Sequence, residues 1–193
     1  MSRTVNITEE IIVVSEGKKD IGKLAFLGND GKFDPSVIPM QSVSISQCGV
    51  NMSADLSIPN DAWTNVTWGK KEYDSAQICN SDQKGFTVDA DGLYLIEASV
   101  CFEINATGVR YIGITKNGSF IANQDLLAAP QLYYSYLPVQ YVGRLKKGDV
   151  LQIYVYQSSG GALAVLSAPH GGIDQAHADG GGQPRFTLTQ LSN

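Results

Sequence analysis

A period of two runs through most of the chain. Its clearest stretch is residues 86–104, FTVDADGLYLIEASVCFEI. There Tyr94, Ile96, Ala98, Val100, Phe102 and Ile104 share one parity, and Leu95, Glu97, Ser99, Cys101 and Glu103 share the other. Alternation of this length predicts a half-buried antiparallel strand. Later in the chain Leu151, Ile153 and Val155 alternate with Gln152, Tyr154 and Tyr156 in the same way. Asn117-Gly118 sits between two such runs and predicts a hairpin turn whose central residues need positive φ. A second hairpin-like pair is expected over residues 135–157, joined at Lys147-Gly148-Asp149. Shorter strands are expected at residues 162–166 and 185–191, and from Gln41 onward Val43 and Ile45 alternate with serine. Short strands broken by turn signals at regular spacing predict an all-β, antiparallel sandwich or barrel. No helical period, heptad or internal repeat competes with this pattern.

The first forty residues are different. Two apolar stretches, Ile11, Ile12, Val13 and Val14, then Leu24, Phe26 and Leu27, are separated by Gly, Lys and Asp. Residues 23–27 have the length of a short strand. Asn29-Asp30-Gly31, Asp34-Pro35 and Ile38-Pro39 punctuate the chain between there and residue 40. So short a segment cannot bury its own apolar residues, and it is expected to be a short extended arm that docks on another surface. The expected division is therefore an arm and linker over residues 1–40 and a sandwich head over residues 41–193.

Composition sharpens the class. At 193 residues the chain fits one domain with a short appendage, able to bury about 70% of the surface its unfolded form exposes. Charged residues are 17% of the chain, below the usual value of about 25%, which argues against a disordered tail or a coiled coil. The formal charge is -5, and the lysines come in pairs beside turns, so no basic stripe is present for a nucleic acid. No apolar run approaches the length that spans a bilayer, so no membrane insertion is expected. The apolar run at residue 11 follows Glu9-Glu10, the wrong flank for a secretion signal, and assembly in a cytoplasm is expected. Cys48, Cys79 and Cys101 are odd in number and lack metal-ligand spacing, which predicts reduced thiols.

Candidate chemistry is sparse. The only two histidines, His170 and His177, share a glycine-rich loop with Asp174 and Asp179. Their spacing matches no compact metal motif, so this loop is taken as a variable contact surface, with no metal and no cofactor. Asp89-Ala90-Asp91-Gly92 has part of a calcium-loop pattern but lacks its remaining oxygen ligands, and a tight turn is expected. Glu97 and Glu103 lie about 20 Å apart along one strand, too far for a paired-carboxylate hydrolase. Cys101 has no histidine nearby in sequence and is read as a buried or interface thiol. No nucleophile elbow, zinc helix, phosphate loop or dinucleotide fingerprint occurs, so no enzyme is expected. Tyr133, Tyr134, Tyr136, Tyr141, Tyr154 and Tyr156 crowd one region of sequence. An exposed stripe of this kind is read as an interface between copies, as a platform on which a glycan stacks, or as scattered surface residues.

Three landmarks carry a resemblance. Phe86 with Gly92-Leu93-Tyr94-Leu95, then Leu145-Lys146-Lys147-Gly148-Asp149-Val150-Leu151, then Phe186-Thr187-Leu188 occur in the order found in the tumour-necrosis-factor/complement-globular-head superfamily. The chain resembles that superfamily well over residues 86–193 and loosely over 41–85. The resemblance implies an antiparallel jelly-roll sandwich and a homotrimer. It would place Tyr133, Tyr134, Tyr136, Tyr154 and Tyr156 at a trimer interface. Residues 20–25 and 30–39, with their Gly-Lys, Asp-Gly-Lys and Pro positions, resemble a linker near the start of bacteriophage fibre and capsid-decoration proteins.

Together these resemblances imply a virion structural protein. It would be a trimeric capsid decoration or head fibre, held by its arm to the major capsid protein or another virion protein. An alternative is a receptor-binding tail-fibre tip that attaches to a host surface glycan or protein. A third reading is a secreted cytokine-like or lectin-like ligand.

Overall fold

The computed structural model describes residues 11–12, 24–25, 45–128, 134–168 and 183–192. The chain divides into two units, Met1–Ser44 and Ile45–Asn193. In the first unit, strand β1 (Ile11–Ile12) pairs in parallel with β2 (Leu24–Ala25). Val13, Val14, Phe26 and Leu27 lie outside the described residues.

The second unit is a sandwich of two antiparallel sheets. The larger sheet contains β3 (Gln47–Asn51), β4 (Leu56–Ile58), β6 (Lys70–Asp74), β8 (Gly92–Phe102), β11 (Ser135–Leu145), β13 (Leu163–Val165) and β14 (Arg185–Ser192). β8 is its axis. β11 runs along one edge of β8, and β14 and then β13 occupy the other, with β3 and β6 beyond β14 and β4 beyond β13. The smaller sheet contains β5 (Thr64–Asn65), β7 (Gly85–Thr87), β9 (Val109–Lys116), β10 (Ser119–Leu127) and β12 (Val150–Gln157). β12 is its axis, paired with β9 on one side and with β5 and β7 on the other.

Alternation decides which side chains enter the core. On β8, Tyr94, Ile96, Ala98, Val100 and Phe102 are buried, and on β12 so are Leu151, Ile153 and Val155. Ile112 and Ile114 of β9, Cys48 and Val50 of β3, and Phe186 and Leu188 of β14 complete the inner faces. Burying each aliphatic or aromatic side chain of this size contributes roughly 1.5–3 kcal/mol. Phe86 and Phe186 stack across the two sheets at 4.0 Å between centroids and 16° between planes, and Trp68 lies 5.5 Å from Phe186. That stack pins the strand of one landmark to the strand of another.

The Asn117-Gly118 hairpin forms between β9 and β10, with φ of 52° and 80° at its two central residues. The other expected hairpin does not. β11 and β12 follow one another in sequence but belong to different sheets, so the loop at residues 146–149 carries the chain across the sandwich. The cause is edge availability. β8 offers β11 an eleven-residue partner from Ser135↔Phe102 to Leu145↔Gly92, while β12 finds β9, β5 and β7. Asp149 holds the crossing. Its Oδ2 accepts from the Lys146 N–H at 2.9 Å and its Oδ1 from the Asn117 amide at 2.8 Å. Asp91 accepts from the Lys147 N–H at 2.8 Å, and Asp89 accepts from the Ser46 hydroxyl at 2.9 Å, so the Asp89–Asp91 stretch works as a turn.

Candidate functional site

Each sheet has one face in the core and one turned outward. On the larger sheet the outward row of β8 is Leu93, Leu95, Glu97, Ser99 and Cys101, because the other parity fills the core. Register sets Tyr136 beside Cys101, Pro138 beside Ser99, Gln140 beside Glu97 and Val142 beside Leu95. On the opposite side Arg185 stands by Ser99 and Thr187 by Glu97. Ser99 is small between larger neighbours, and a groove forms there, lined by Glu97, Ser99, Tyr136, Gln140, Arg185 and Thr187. Tyr136 and Val142 are 41% and 56% exposed, large values for side chains of their kind in mid-strand. Glu97 and Arg185 give this face charges of both signs.

The smaller sheet presents a different chemistry. Its outward positions follow from the register Tyr154↔Gly113, Tyr156↔Tyr111 and Tyr154↔Asn65. Trp63 reaches in from the chain just before β5, and Phe120 from β10. Three strand spacings of about 4.8 Å would set these two backbones roughly 14 Å apart, yet their rings meet at 4.8 Å between centroids. They lean toward one another over the two central strands. Trp63 also packs on Tyr111 at 5.9 Å and Tyr156 at 5.5 Å, and Phe120 meets Tyr154 edge-on at 6.3 Å. Gly113 makes room for this. A Cβ at that position would come 2.5 Å from the Phe120 ring, so only glycine lets the ring lie on the sheet. The Tyr156 hydroxyl donates to Asp61 Oδ1 at 2.8 Å, and that bond to a carboxylate raises the phenol above its ordinary pKa.

The predicted site residues therefore separate. Tyr154 and Tyr156 join the ring cluster on the smaller sheet, while Tyr136 stands on the outer face of the larger one and half-buried Tyr134 just precedes β11. Tyr133, His170, Asp174, His177 and Asp179 lie outside the described residues. Trp63, Tyr111 and Phe120 were not among the residues singled out by sequence. The signal was available for Tyr111, which shares a parity with Gly113 opposite buried Ile112 and Ile114. None was available for Trp63, which lies just before a two-residue strand too short to show a period.

Reactive groups are few. Cys48, Cys79 and Cys101 are free thiols, and burial raises all three, Cys101 to about 11, so they stay protonated and are poor nucleophiles. Among the described residues no three His, Cys, Asp or Glu side chains gather where they could hold a metal ion. Among the same residues no helix is long and apolar enough to cross a membrane. Arg110 is wholly buried and, among the described residues, has no carboxylate partner. Its guanidinium donates to the carbonyls of Thr107, Val109 and Asn105 at 2.9, 3.0 and 3.2 Å and lies 5.8 Å from the Phe102 centroid. It ties down the loop between β8 and β9.

No family model and no curated protein matches the sequence. Solved structures do match the fold. A crystal structure of murine APRIL at pH 8.5 superposes with a TM-score of 0.55 and 15% identity, covering 76% of this chain and 99% of that one. Murine APRIL at pH 5.0 gives 0.54 and 15%, and at pH 8.0 it gives 0.52 and 16%, with the same coverage. The virion expectation is corrected by this result. The fold likeness is to murine APRIL, and it does not point specifically to a bacteriophage, capsid-decoration, head-fibre or tail-fibre protein. The phage reading rested on turn-forming positions in residues 20–39, and a pattern of turns does not specify what a chain assembles with. The chain is an all-β, jelly-roll-like sandwich of the kind seen in murine APRIL.

Proposed function

We propose that this chain is a non-enzymatic recognition ligand of cytokine-like or lectin-like type, acting as a homotrimer that meets a partner on a cell surface. The observation that supports it is the pair of outer faces. A sandwich needs one apolar face per sheet, yet here each sheet also turns large apolar side chains outward, Tyr136 and Val142 on one and Trp63 and Phe120 on the other. Exposed patches of this kind mark interaction surfaces. The larger-sheet face suits a copy of itself. It carries both Glu97 and Arg185 around a groove, so one copy's charges can pair with another's. The smaller-sheet face carries carboxylates, Asp61 and Asp125, which would repel a second copy laid on it, and it is left for a different partner. Threefold closure is what the superfamily resemblance implies, and it would hide the free edges of β6 and β11.

Val142→Asp puts a charge where the apolar part of that face is most exposed. Light scattering on the variant is expected to give a single-chain mass with a folded β spectrum, while the unaltered chain gives three. A trimer untouched by Val142→Asp and by Tyr136→Asp would remove the larger-sheet face from the assembly.

A further inference from the structure

We infer that the outer face of the smaller sheet is a binding site for uncharged saccharides, with Trp63 and Phe120 as the stacking surface. This rests on the recognition reading above but not on the trimer. The composition of the face carries the argument. Reading the register row by row, the outward residues are Tyr156, Tyr111 and Asp125, then Tyr154, Gly113 and Asn123, then Gln152, Thr115 and Phe120, with Trp63 and Asn65 along the β5 edge. The set holds aromatic, amide, hydroxyl and carboxylate groups. These three rows contain no aliphatic side chain and no Lys or Arg; the aliphatic residues of this parity, Val109 with Leu127 and then Val150, lie in the flanking rows.

That selection discriminates among occupants. A protein partner is met by mixed aromatic, aliphatic and arginine surfaces. Here the three rows around Trp63 and Phe120 hold only the aromatic part, interleaved with amides and carboxylates. A cation needs rings that converge around a space. Here the rings pack on one another at 4.8–6.3 Å, which fills the space between them and leaves their outward surfaces as a platform. A pyranose ring offers the complement, one apolar C–H face with hydroxyls around its rim. The C–H face covers exposed indole and phenyl, and the hydroxyls donate to Asp61 and Asp125 and exchange hydrogen bonds with Asn123 and Gln152. Trp63 and Phe120 are 44% and 45% exposed, so area remains to be covered. The rings already hold each other in place, so little side-chain entropy is lost on binding. The carboxylates also set the sign. Sialylated, sulfated or uronic-acid glycans would meet like charge with no Lys or Arg in these rows to offset it.

Tryptophan fluorescence provides the test, because Trp68 is buried at 1% exposure and a ligand-dependent change reports Trp63. The full chain is titrated with neutral hexose oligosaccharides of gluco-, galacto- and manno- type and with sialylated and sulfated counterparts. At least one neutral series is expected to shift the emission saturably, and the acidic counterparts to leave it unchanged. Trp63→Ala, and independently Phe120→Ala, should weaken that binding by about tenfold or more in calorimetry, with the melting transition retained. Asp61→Asn should weaken it while leaving the rings in place. Absence of binding across all neutral series would overturn the site, as would binding that survives both ring variants, or a preference for acidic glycans. A change in oligomeric mass on Trp63→Ala would assign the platform to a second copy and equally overturn it. The same light-scattering run reports the trimer separately, so a monomer that still binds saccharide fails only the assembly reading, and a trimer that does not bind fails only this one.

Discussion

Phe186 shows how one residue can connect the two sheets. Its ring stacks on Phe86 at 4.0 Å and meets Trp68 at 5.5 Å, and all three are buried. Truncation would leave a cavity between Phe86 of the smaller sheet and Trp68 of the segment joining β5 to β6, and neither can close on it without moving backbone. Phe186→Ala is expected to cost roughly 3–5 kcal/mol, near the upper range for core aromatics. Urea denaturation should show a lower midpoint with an unchanged slope, since the native fold and the surface exposed on unfolding stay the same. A loss below about 1 kcal/mol would mean that the stack does not couple the sheets. Gly113 matters in the opposite sense: its missing side chain lets the Phe120 ring lie on the sheet and places it within reach of Trp63.

At the scale of elements, the loop at residues 146–149 is held by one carboxylate. Burial alone would raise Asp149, but the Lys146 N–H and the Asn117 amide outweigh it and hold the group below its ordinary value of about 3.9. The unfolded chain therefore takes up a proton at higher pH than the folded one. The stability from Asp149 is full above about pH 4 and is lost as pH falls through the folded value. Asp74, which accepts from Lys71 at 3.0 Å and from the Ile78 N–H at 2.8 Å, is lowered in the same direction against its own burial. Thermal melts from about pH 6 to about pH 2 should show the unaltered protein losing stability in that acid window. Asp149→Asn should start less stable and lose less. An equally steep acid limb in the variant would detach the loop from acid sensitivity.

The same loop marks where sequence stops being informative. Alternation assigns a strand's faces, and it assigned those of β8 and β12 from Tyr94, Ile96, Leu151 and Ile153 alone. The Asn117-Gly118 turn was equally legible, because positive φ restricts the residues a turn accepts. Lys147-Gly148-Asp149 also reads as a turn, and Gly148 does take a φ of 90°. Yet the partner of β11 is chosen by the free edge of β8, a property of the assembled sheet. The strands at residues 56–74 run only two to five residues, below the length at which a period shows, so no pattern marks Trp63 beside them. Tyrosine crowding did locate Tyr154 and Tyr156, but proximity in sequence could not reveal that Tyr136 stands on the other sheet.

At the scale of the whole molecule, the proposed function assigns the two outward faces of unlike chemistry to different roles, one to its own copy and one to a foreign ligand. Self-association is the claim on which the ligand-type reading depends most, because three copies on a rigid head multiply a weak contact into useful avidity. Sedimentation equilibrium of the full chain at micromolar concentration measures it directly. The account predicts one species of three times the 20.7 kDa chain mass, stable to dilution across the micromolar range. A species of 20.7 kDa, with Tyr136 and Val142 facing water, would contradict it.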